Sequence, residues 1–203
     1  ATQALANLRA RFDTVALQAP AAAPRATEQA LRQRDPATWA QLLDWCHTPD
    51  ARSTQAPWHG RASNDFAVAQ LLAADDANVS DHLRPWAQAL ARHIDGSVAL
   101  EALPGRLPGL AWRAGIKLND AMWWRPRQAS DPWDAGWAST SPPAERQLQN
   151  RFLPRRATLI LAQAADSDGL RLALASLAQR GAELQHPLRW LWVGALPEAA
   201  RPH

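Results

Sequence analysis

Few residues in this sequence fall into patterns that could do chemistry, and the most suggestive is the acidic turn Asp166-Ser167-Asp168-Gly169. It follows an apolar stretch with strand character and precedes a helical one, which is where open α/β sheets place their ligands. With Gln163 at the strand end, Asp166 and Asp168 form a candidate ligand-binding set. The same residues have simpler work available, because an Asp or Ser ahead of a helix caps its first backbone N–H groups. The turn also lacks the glycine-rich fingerprint with which phosphate cradles are built.

A second constellation is Met122-Trp-Trp-Arg-Pro-Arg127, followed downstream by Arg151, Arg155 and Arg156. Flat aromatic rings beside guanidinium groups can stack on bases or meet anionic headgroups. Trp and Arg are also the residues that anchor protein interfaces. Trp123, Trp124, Arg125 and Arg127 are therefore the candidate partner-contact residues. Asp120, Asp131 and Asp134 lie close in sequence and cancel much of the local positive charge, which disfavours nucleic acid. Those aspartates equally offer the arginines salt bridges while the tryptophans bury against a sheet.

Metal and nucleophile chemistry find little support. His47, His59, His82, His93, His186 and His203 are scattered singly, whereas zinc needs three or four convergent ligands, so no metal and no cofactor are expected. Cys46 is the lone cysteine; it follows an apolar helical face and reads as a buried structural thiol. No Gly-x-Ser-x-Gly elbow is present, and no catalytic residue is assigned. Arg32-Gln-Arg-Asp35 fits a short pattern for a guanine edge, but such runs of common residues arise by chance.

The elements that must position these residues follow from periodicity and breakers. Residues 1–24 read as an amphipathic helix from Thr2 to Leu17 and an Ala/Pro linker, and 25–203 as a single α/β domain, helical over 25–96 and sheet-containing over 97–203. Two short helices flank Pro36, the second carrying Trp39, Leu42, Leu43 and Cys46. Asn64 is placed to cap a helix through Phe66, Val68 and Leu71, and a longer helix runs from about Ser80 to Ile94 with Gly96 as its stop. Residues 97–102 and 110–118 read as strands, and 119–143 as an ordered loop. A helix over 144–152 leads to the clearest unit, a βαβ crossover. It comprises strand Ala157 to Ala162, helix Leu170 to Arg180 and strand Leu188 to Val193. Such a crossover makes parallel neighbouring strands, so the expected fold is α/β, or α+β, with a helical N-terminal part on a small mixed sheet.

Composition bounds the function without naming it. A chain of 203 residues with 47% hydrophobic and 20% charged residues has a globular balance, and no apolar run is long enough to span a membrane. Cations outnumber anions only 22 to 19, and Lys117 is the one lysine, a bias that reads as the imprint of a GC-rich genome. The single thiol leaves cytoplasm and periplasm both open. The expectation is a non-catalytic interaction or scaffold domain of a larger bacterial assembly, tethered to the inner membrane by a segment outside this sequence, whose partner is another protein. The alternatives are an enzyme-like, small-ligand-binding domain with its site at Gln163, Asp166 and Asp168, and attachment to an anionic lipid surface.

Overall fold

The computed structural model describes residues 16–21, 25–47, 66–71, 79–102, 132–163, 168–184 and 186–194. The C-terminal half builds the centre of the fold. Strands β4 (Thr158–Gln163) and β5 (Leu188–Val193) are near-continuous apolar runs, the pattern of strands covered on both faces, and every residue but Gln163 is buried. Helix α6 (Asp168–Gln179) joins them, and the two strands pair in parallel from Thr158 against Leu188 to Gln163 against Val193. The expected βαβ unit is thus present.

β3 (Asp134–Ala138) lies parallel to β4, and α5 (Pro142–Asn150) carries the chain across between them. Ser141 precedes α5 and prolines occupy its first turn, where their missing N–H groups cost nothing. On the outer side of β3 the two-residue strand β1 (Leu17–Gln18) runs antiparallel. β2 (Phe66–Leu71) pairs in parallel with β5, completing a mixed five-stranded sheet of order β1-β3-β4-β5-β2.

The alternation of strand side chains divides the core in two. Leu159, Leu161, Leu191 and Val193 face one layer of helices. That layer contains α2 (Pro36–His47) and α3 (Val79–Ile94), with α1 (Arg25–Arg34) laid against them. Ile160, Ala162, Leu188, Trp190 and Trp192 face the other layer, formed by α5 and α6. Helices therefore cover both faces, as a sheet with consecutive parallel strands requires. Trp190 and Trp192 stack with centroids 6.2 Å apart inside the second layer. Their buried Nε1 atoms have no hydrogen-bond partner among the described residues.

Four local expectations are corrected. Phe66–Leu71 is a strand rather than a helix, because parallel pairing with β5 along its whole length overrides the helix preference of its Ala, Gln and Leu. Leu17, expected as the last residue of the first helix, and Gln18, expected to open the linker, instead pair with β3 as a strand. Residues Asp134–Ala138, expected within a loop, form a strand; a segment rich in Ala and Gly has little strand propensity, and its neighbour β4 imposes the conformation. Ser97–Ala102, expected as a strand, is helix α4. Gly96 takes a left-handed φ of 79° that ends α3, and the Ser97 N–H then donates to Asp95 Oδ1 at 2.7 Å, opening the new helix. The segments 110–118, 119–131 and 1–15 lie outside the described residues.

Candidate functional site

All four parallel strands finish at one end of the sheet, so Leu71, Ala138, Gln163 and Val193 mark a common carboxyl edge. This is the end at which doubly covered parallel sheets bind ligands, because the connections there diverge to opposite faces. The edge strand β2 and the end of its neighbour β5 are tied together at this point. Gly194 donates its N–H to the Leu71 carbonyl at 2.9 Å, and Gln70 Nε2 donates to the Gly194 carbonyl at 2.9 Å. Gly194 has φ of 98°, a left-handed turn that a side chain would strain.

Above the edge, α3 supplies the exposed Arg84. Its guanidinium carbon lies 4.9 Å from the centroid of the Trp137 ring, and its Nη1 donates to Gln163 Oε1 at 3.4 Å. Trp137 itself is buried, and its Nε1 has no hydrogen-bond partner among the described residues. The edge thus carries a cation on an aromatic face with an amide beside it, an arrangement suited to a carboxylate, an amide or an aromatic side chain.

The acidic turn is placed differently from a ligand cradle. Asp168 stands in the first turn of α6, largely exposed, and pairs with Arg171. Glu145, in the first turn of α5, reaches to Gly169, and a Cβ on Gly169 would overlap its carboxylate. Gln149 Nε2 donates to the Gly169 carbonyl at 3.1 Å. Two carboxylates thus already complement the positive end of α6. Of the residues singled out in sequence, Gln163 lies at the carboxyl edge and Asp168 beside it; Asp166, Trp123, Trp124, Arg125 and Arg127 lie outside the described residues. Arg155 and Arg156 turn instead to Asp134 at the opposite end of β3, with Nε–Oδ distances of 2.8 and 3.5 Å.

A second polar cluster joins α1 to α3. Arg92 is buried, its Nε donating to Glu28 Oε1 at 2.9 Å and its Nη2 to Glu101 Oε1 at 2.7 Å. One turn further along α1, Arg32 Nη2 lies 2.8 Å from His93 Nδ1 and 3.4 Å from Nε2. The same guanidinium sits 4.6 Å from the Trp39 ring centroid, against which the His93 imidazole stands edge-on at 5.6 Å. Burial, together with Arg32 and His47, pushes His93 below its ordinary pKa, and burial raises Asp95.

Cys46 is buried at the end of α2, and its thiol is pushed up to about 12 by burial despite the nearby Arg189. Among the described residues no group of three or more His, Cys, Asp or Glu could hold a metal, and no helix is long and apolar enough to cross a membrane. No protein family, curated protein or solved structure matches this chain. Sequence reasoning missed Arg84, Trp137 and Glu145, since each has an ordinary helical or strand neighbourhood and only the fold gathers them at one edge.

Proposed function

We propose that this chain is a protein-interaction domain of a larger, membrane-anchored bacterial assembly, and that its partner docks at the carboxyl edge of the sheet. The observation that supports this reading is the exposed Arg84 held over Trp137 and directed at Gln163. Arg and Trp dominate interface energetics because they combine a large desolvated surface with directional donors. Here the arginine is pre-oriented by the ring below it, which lowers the entropy lost when a partner immobilises it. Trp123, Trp124, Arg125 and Arg127 are proposed, from the sequence, as further contact residues for the partner.

A second reading places a small ligand at the same edge. Gln163 closes a parallel strand there, and ligands of doubly covered sheets sit at that end. With Glu145 and Asp168 already at the first turn of α6, Arg84 and Gln163 are the polar groups that would hold such a molecule.

Both readings are tested with the intact domain immobilised beside an Arg84→Ala/Gln163→Ala variant, after circular dichroism shows equal folding. Specific capture of one protein, lost in the variant, supports the interface. A thermal shift with a small molecule, also lost in the variant and without protein capture, supports the second reading. Equal capture by both forms would remove this edge from the interface.

A further inference from the structure

We propose that Arg32 and His93 form an acid-releasable clasp that undocks the C-terminal half of α1 from the Trp39 ring. The geometry carries the argument. A guanidinium can only donate, so at 2.8 Å from Nδ1 it needs a ring nitrogen with a free lone pair. Whichever nitrogen accepts, the imidazole must be neutral. Protonation removes that acceptor and sets a second positive charge against Arg32.

The surroundings decide whether this penalty is relieved. From α1 the charged group facing His93 is Arg32, and from α2 the titratable group is His47, whose influence on His93 also opposes protonation. On α3 itself the neighbours are Arg92, buried between Glu28 and Glu101, and Asp95, which caps α4 through Ser97. Among the described residues these carboxylates have their own partners, and neither Glu28 nor Glu101 is placed on the imidazole. The aromatic neighbour, Trp39, already holds Arg32 on its face.

The docking of α1 is therefore two-pointed. Glu28 on Arg92 is a buried ion pair that does not involve the imidazole, whereas Arg32 on His93 is lost when the imidazole charges. Acid frees residues 31–34 while the Glu28 half stays attached. What emerges is the face of Trp39 that Arg32 covers, with Trp86 beside it at a centroid distance of 6.3 Å, so the device controls access to that ring.

Hydrogen–deuterium exchange on the whole chain at pH 7.5 and about pH 5.5 tests this, with exchange times scaled for intrinsic rates. The expected result is about a tenfold loss of protection at 31–34 in acid, the scale set by losing one charge-assisted hydrogen bond. Peptides from β4 and β5 should be unchanged. In His93→Gln, whose amide accepts from Arg32 at either pH, the acid effect should vanish. An NMR titration of His93 in the unaltered chain gives a second readout, with a neutral ring at pH 7.5 and a midpoint below about 6.5. Equal protection at both pH values, the same acid loss in His93→Gln, joint loss across β4 and β5, or a charged ring at pH 7.5 would each overturn the clasp.

Discussion

Replacing Arg92 by Met should be among the most damaging single changes in the molecule, and its cost can be worked from the surroundings of the pair. The Arg92 side chain is 4% exposed and that of Glu28 8%, so truncating the arginine leaves the Glu28 carboxylate buried with no compensating charge. Removing one partner of a buried pair costs about 3–5 kcal/mol. Glu101 adds little, because its side chain is 45% exposed and solvent replaces the lost contact at about 0–1 kcal/mol. For a domain of this size about 2–4 °C is lost per kcal/mol, so Tm should fall by roughly 6–20 °C. The double change Glu28→Met/Arg92→Met leaves no buried charge between these two positions and should recover most of the loss, because well-packed apolar side chains often replace a buried pair without penalty. Urea denaturation of the wild type, both single variants and the double, followed by far-UV circular dichroism, completes the cycle. A loss below about 1 kcal/mol for Arg92→Met, or a double variant as weak as the sum of the singles, would refute the buried-pair reasoning.

Other changes follow from the same geometry. Gly169→Ala should cost less than about 1 kcal/mol on thermal melts, because its Cβ meets only the far end of the flexible Glu145 side chain, which can swing aside, and alanine favours the helix; a larger loss would mean that the Glu145 carboxylate is fixed in place. Cys46 should resist a thiol reagent at pH 8 in the native domain and react in denaturant, since its thiol is buried and pushed up to about 12; fast native labelling would contradict that placement. Asp35 is held below its ordinary pKa, first by the Thr38 hydroxyl and then by the Thr38 N–H. Its contribution to the start of α2 is therefore complete above the ordinary carboxylate range and lost as pH falls through the lowered value. Asp35→Ala should flatten that acid limb of the stability curve.

Legibility in the sequence followed burial on both sides. β4, α6 and β5 were readable because fully covered parallel strands are written as unbroken apolar runs and their crossover helix has a clean 3.6-residue period. The helix pair around Pro36 was readable from its breaker, with Asp35 as cap and Pro36 in the first turn. β2 and β3 were not, because Phe66–Leu71 and Asp134–Ala138 take strand geometry from β5 and β4, to which they are distant in sequence, and their own residues argue for helix or loop. α4 was misread because the alternation of Val98 and Leu100 resembles a strand, while the Asp95–Ser97 cap that opens a helix is a short-range hydrogen bond with no hydrophobic signature. At the site, Gln163 was legible from its place at a strand end. Arg84 and Trp137 were not, since one sits on a helix and the other on a strand 53 positions away, and only the sheet order brings them together.

The most direct measurement is affinity capture from native lysate with the intact domain, Arg84→Ala/Gln163→Ala and Trp123→Ala/Trp124→Ala/Arg125→Ala in parallel, each first shown to be folded. The proposed interface predicts one protein retained by the intact domain and lost from the Arg84/Gln163 variant, with weakened retention by the tryptophan variant. Retention of the same protein by all three forms would contradict a docking site at the carboxyl edge of the sheet.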